Sequence, residues 1–191
     1  MTYDLPTKLL HKGIAASISI QLILPFIGME HPHPTRHHEE WQLMLFEVHE
    51  INGLIALSLL SMHLLYSLAT SGSASWRTLF PWLTGEGRNQ LFAEIGNIGN
   101  WFKQGLPDPE QAHTLASTVH GFGLLIGMLM GLTGACIFIG MEENGKVSDG
   151  IHEVMELHEG FALLMLLYWL GHVALFIIHQ KQGHDLKSKI F

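Results

Sequence analysis

Residues 158–172 read HEGFALLMLLYWLGH. Between the terminal histidines the stretch holds a single charged side chain, Glu159, and is otherwise almost wholly apolar. His158 and His172 are 14 positions apart. At about 100° per residue, 14 steps come within ~40° of whole turns, and the rise is ~21 Å. One helix therefore presents two imidazoles on one face, one towards each end of an apolar segment.

The rest of the chain repeats the theme. Apolar runs cover about 8–29, 46–69, 113–140 and 152–180. Each is as long as the ~20 residues that cross a hydrocarbon core, or longer. Polar stretches separate them: residues 30–45, with Pro32 and Pro34; the connection 70–112, opening on the breaker Thr70-Ser-Gly-Ser-Ala-Ser75; and the acidic loop 141–150. Asn89–Trp101 within the long connection has the character of a short interfacial helix, and Trp76, Trp82 and Trp101 suit a membrane–water boundary. The expected architecture is all-α: one domain over 1–191, a bundle of four transmembrane helices.

Composition agrees. The 191 residues are 48% hydrophobic and 14% charged, against about 25% charged in a soluble domain. The net charge of -7 and the lack of a basic patch exclude a nucleic-acid partner. The first run follows Lys8 and contains His11, and no small-residue cleavage site follows it, so it reads as a span and not as a cleaved signal. The lone Cys136 lies in an apolar run and reads as a small packing residue. No Cys-x-x-Cys-His occurs, which excludes covalent haem attachment.

Four spans put both termini on one side. Lys8, Lys12, Arg77, Arg88, Lys103, Lys181, Lys187 and Lys189 fall on that side; only Arg36 and Lys146 fall on the other. The positive-inside rule makes the terminus side cytoplasmic. The outer side is acidic, with Glu30, Glu39, Glu40, Glu142, Glu143 and Asp149 among its residues.

Fourteen histidines against ten Lys plus Arg is the anomaly. An intramembrane imidazole is costly without a partner. His49 and His63 on the second run repeat the 14-residue spacing. Depth sorts them: His49 and His158 lie near the outer surface, and His11, His63, His120 and His172 near the cytoplasmic one. Paired imidazoles at two depths suit two b haems, each ligated from above and below. Gly53, Gly121, Gly160 and Gly171 lie near these histidines and would give a flat macrocycle room; plain helix packing explains them as well. On residues alone, His11, His63 and His120 all remain candidates to face His172.

Leu9-Leu10-His11-Lys12, His120-Gly-Phe-Gly-Leu-Leu and His158 to His172, followed by His179-Gln and Gly183-His184-Asp185, resemble the bacterial cytochrome b561 family and the related cytochrome b subunits of nickel–iron hydrogenases. The resemblance covers nearly the whole chain. It implies a bacterial inner-membrane protein with two non-covalent b haems, passing electrons between membrane quinone (ubiquinone or menaquinone) and a partner: a c-type cytochrome or an oxidoreductase subunit on the outer face. It implies His49 and His158 as ligands of the outer haem iron, and His11 and His172 of the cytoplasmic one. His63 and His120 then hydrogen-bond a haem propionate or a backbone carbonyl. His63 is the next candidate after His11, by likeness to cytochrome b of the quinol:cytochrome c reductases.

Two other functions fit the pattern less well. A superoxide:quinone oxidoreductase of the same fold would prefer a positive outer entrance, and this face is acidic. A histidine-lined metal transporter needs polar residues at mid-membrane, and segments such as Ile55–Leu60 and Leu163–Leu167 have almost none. His31, His33, His37 and His38 in the outer loop, with Glu39 and Glu40, could bind zinc or copper; a solvated or docking loop is the plainer reading. His152, His179 and His184 are expected at the interface.

Overall fold

The computed structural model describes residues 3–33, 37–72, 74–107, 113–142, 145–184 and 186. Of the residues invoked for charge asymmetry, Arg36, Glu143, Lys187 and Lys189 lie outside the described residues, as does Asp185. Every regular element among the described residues is helical: α1 Leu5–Ile23, α2 Glu40–Ala69, α3 Trp76–Leu79, α4 Gly85–Gln104, α5 His113–Gly140 and α6 Asp149–Lys181. Four segments are long and apolar enough to cross a membrane: Leu5–Ile27, Glu40–Ala69, His113–Gly140 and Asp149–Lys181. Large apolar side chains such as Leu5, Phe26, Leu65 and Ile139 stand exposed along them. So many exposed apolar groups would be an aggregation hazard in water and are the normal surface of a protein in lipid.

Three starts precede the sequence expectation. The first span opens at Leu5 because Asp4 caps it, its Oδ1 accepting from Thr7 N at 3.0 Å. The second opens at Glu40, so residues 40–45 are helix and not loop. Pro32 interrupts the chain before the helix, but nothing after His38 does. Gln42 Oε1 accepts from Glu39 N at 3.0 Å, the returning half of a capping box, and Glu40 suits the positive helix start. The fourth opens at Asp149, where Ser148 Oγ accepts from Ile151 N. At the far end of α1, Pro25 leads a single 3-10 turn that Gly28 closes at φ +105°, its N–H returning to Leu24 O. A Cβ on Gly28 would also strike the Trp41 ring at 2.6 Å. Cys136 is exposed on α5, so it faces outward and does not pack inside as expected.

The chain divides into two compact units. The first comprises Met1–Leu9, Met62–Leu125 and Tyr168–Phe191. Here α4 runs well beyond the expected Asn89–Trp101 at its N-terminal end, starting on Thr84, whose Oγ1 accepts from Gly87 N at 3.1 Å. The carboxylate of Glu94 on α4 takes the free N–H groups of Thr114 (3.2 Å) and Leu115 (2.6 Å) at the start of α5, and Thr114 Oγ1 donates to Gln90 Oε1 at 3.2 Å. One carboxylate thus satisfies two orphan donors at a helix N-terminus, where negative charge is also favoured. Gly121 lies so close to the Leu79 carbonyl and Trp82 that no side chain fits. Trp82 stacks on Phe122 at 4.8 Å.

The second unit comprises Leu10–Ser61 and Ile126–Leu167. Asn52 Nδ2 donates to Ser17 O, and Gln21 Nε2 to His49 O, both at 2.9 Å, tying α1 to α2 through main-chain carbonyls. Gly127 and Gly131 on α5 admit Leu60 and Leu57 of α2.

Removal of the Glu94 carboxylate in Glu94→Ala leaves two helix-start donors unpaired. It is expected to cost about 1–2 kcal/mol and lower the thermal midpoint by a few degrees. Circular dichroism of the detergent-solubilised protein checks this, with Gln90→Ala showing the smaller loss.

Candidate functional site

The second unit holds an apolar cavity of about 470 Å³, within the roughly 300–1,000 Å³ of cofactor and ligand sites. His49 from α2 and His158 from α6 line it, with Phe46, Gly131, Gly134 and Met165 among the walls. The two imidazole rings meet edge-on with centroids 6.3 Å apart and planes at 83°. Two imidazoles on opposite sides of a single metal ion, each bonded through one nitrogen at about 2.0–2.1 Å, have centroids roughly 6.3 Å apart. The observed separation matches that spacing.

The free ring nitrogens sharpen the fit. His158 Nδ1 lies 2.9 Å from Thr133 Oγ1. The Thr133 hydroxyl also reaches the carbonyls of Leu129 (2.8 Å) and Met130 (3.0 Å), one turn back on α5. Its one proton goes to those carbonyls, so the oxygen accepts from His158, and Nδ1 of His158 carries hydrogen. That leaves Nε2 with its lone pair for a metal, the usual consequence of an outer hydrogen bond on a ligating histidine. Gly134 makes this possible, since a Cβ there would stand 3.2 Å from His158 Cε1. Among the described residues of this unit, the buried His49 Nδ1 and Gln21 Oε1 have no hydrogen-bond partner, and both residues line the same cavity. The donor set, the ring separation and the apolar walls together fit a haem.

The other candidate histidines fall in both units. His11 belongs to the second, and His63, His120 and His172 to the first. In the first unit His172 stacks on Tyr168 (5.6 Å, 19°), and His120 meets His172 edge-on at 5.1 Å. That is closer than the separation of about 6.3 Å for two imidazoles on a shared metal. Gly123 is packed under the Tyr168 hydroxyl. His63 lies within electrostatic reach of Asp4. Of the glycines near the histidines, Gly53 and Gly121 allow close packing, while Gly160 and Gly171 face open space. In the outer loop His38 Nδ1 pairs with Glu30 Oε2 at 2.9 Å. Among the described residues no group of three or more His, Cys, Asp and Glu side chains converges as a metal site. His152 and Glu156 form an exposed pair at 3.6 Å, and His179 and His184 meet at 2.9 Å.

Residues 2–191 match the family model of prokaryotic cytochrome b561. The chain belongs to that family. Membership makes it a membrane cytochrome, implies b-type haem and electron transfer, and implies the haem-binding bundle expected from the four spans. No curated protein and no solved structure matches the chain.

Thr133, Gln21, Asp4 and Tyr66 carry no sequence signal of a role in this cytochrome. They are short polar residues without periodicity, and only the folded contacts expose them. With His158 as an axial ligand, Thr133→Val removes the acceptor that makes its imidazole more basic. The haem should stay low-spin while its midpoint potential rises and its affinity falls about tenfold, and Thr133→Ser should restore both. Redox titration of the three proteins checks this.

Proposed function

We propose that the protein is a dihaem b-type cytochrome that carries electrons between the membrane quinone pool, ubiquinone or menaquinone, and a redox partner. The observation that carries this reading is the 6.3 Å separation of His49 and His158 inside an apolar cavity. His49 and His158 would hold the outer haem iron. His11 and His172 would hold the second, supported by the register of His172 with His158 and by the family's first-span histidine. The short His120–His172 distance supports His120 as a neighbour of the ligand and not its partner across an iron.

Haem supplies reversible one-electron chemistry when bound. The chain's own residues orient the ligands and exclude water. Thr133 fixes the ring of His158; Gln21 holds α1 against the His49 carbonyl; the apolar walls keep the local dielectric low, which sets the potential together with the ligands. The whole chain acts as one domain in a bacterial inner membrane, with both termini cytoplasmic, as the eight-to-two split of basic residues favours. Glu30, Glu39, Glu40, Glu142 and Asp149 then make the outer face acidic. That favours a basic c-type cytochrome, or a partner oxidoreductase subunit, over superoxide as the species met there.

A pyridine haemochrome assay of the purified protein is expected to give two b haems per chain, and a short-chain quinol is expected to reduce them. One haem or none per chain would overturn the dihaem reading. Two haems indifferent to quinol and quinone would overturn the electron-transfer partner.

A further inference from the structure

The first unit contains a polar cluster that the haem reading does not use. Asp4, at the start of α1, accepts from the Tyr66 hydroxyl of α2 through Oδ2 and from Thr7 N through Oδ1. Hydrogen bonds from Thr7 and Tyr66 hold its carboxyl below the usual carboxylate range, so it is ionised at neutral pH. His63, one turn before Tyr66 on α2, lies within electrostatic reach of this carboxylate. Its Nδ1 is buried without a hydrogen-bond partner. A buried ring nitrogen left unpaired costs free energy, more so where lipid replaces water.

The surroundings restrict what could satisfy it. Leu5 and Leu9 of α1, and Met62 and Leu65 of α2, are all exposed. They belong to the same unit as the cluster, within two residues in sequence of Asp4, Thr7, His63 or Tyr66. The cluster therefore lies beside side chains that face lipid. An anionic group, such as a haem propionate or a phosphate, would meet the charge of Asp4 at once. A neutral ring oxygen would not. Neutral imidazole offers one donor and one acceptor nitrogen, so it can bond a carbonyl oxygen in one redox form and a hydroxyl in the other.

We propose that His63, held beside the Asp4–Tyr66 pair, binds the headgroup of the membrane quinone, with the isoprenoid tail lying in lipid along the exposed leucines. The assignment rests on the quinone-linked function proposed for this chain and adds its site. His63 contacts the headgroup oxygen; Asp4 and Tyr66 are positioning residues.

The test uses the haem-loaded protein in nanodiscs and a decyl-substituted benzoquinone as probe. Its equilibrium binding is measured together with haem content and both midpoint potentials. His63→Ala is expected to weaken quinone binding about tenfold, the loss of one hydrogen bond, with both haems and their potentials unchanged. His63→Gln, which keeps a donor and an acceptor, should recover part of the loss. Should His63→Ala fail to assemble, Tyr66→Phe, which deletes one hydroxyl, decides in the same way. Wild-type affinity in the variants overturns the site, and a lipid or another neutral group then fills it. Loss of a haem, or a shift confined to one haem potential, also overturns it and makes His63 a ligand or a propionate partner. A wild-type protein that ignores both quinone and quinol defeats the quinone-linked function itself, which separates that failure from failure of the site.

Discussion

An imidazole in a hydrocarbon layer must find a use for both ring nitrogens. Water is absent, so each unpaired donor or acceptor stays a standing cost. His11, His49, His63, His120, His158 and His172, all within the four apolar spans, multiply that demand. His158 meets half of it through Thr133 and lines the same cavity as His49. A metal at the centre of a flat macrocycle satisfies two such nitrogens at once. The glycines of α5 and the carbonyl contacts of Gln21 and Asn52 follow from the same demand, because they set the helices at the spacing that the rings require.

The two units answer the constraint differently. In the second, the rings of His49 and His158 stand 6.3 Å apart beside the cavity that both line. In the first, His120 and His172 touch edge-on, Tyr168 stacks beneath, and His63 lies within electrostatic reach of Asp4. One unit thus places two imidazoles on the wall of an apolar cavity. The other gathers titratable groups near surfaces open to lipid. Membership of the prokaryotic cytochrome b561 family makes the molecule a membrane cytochrome and implies b-type haem and electron transfer.

Much of this was legible in the sequence. Apolar length and the position of breakers located four spans, because the bilayer imposes one strong requirement on composition. The 14-residue register of His158 with His172, and of His49 with His63, singled out the histidines that now line or flank the buried clusters. The helix starts were less legible. Residues 40–45 look polar, yet Glu39 and Gln42 cap each other and the helix begins there. Cys136 looked like a packing residue because its neighbours are apolar, but in lipid an apolar neighbourhood does not mean an interior. Thr133, Asp4 and Tyr66 acquire their roles from partners 25 to 62 positions away, and no local pattern records such pairings.

The central claim is that His49 and His158 hold the same iron. Visible spectra and redox titrations of His49→Ala and His158→Ala test it most directly. The account predicts that both variants keep one b haem, and that the retained haem has the same band position and midpoint potential in each. Variants that retain different haems, or that each keep both, would contradict it.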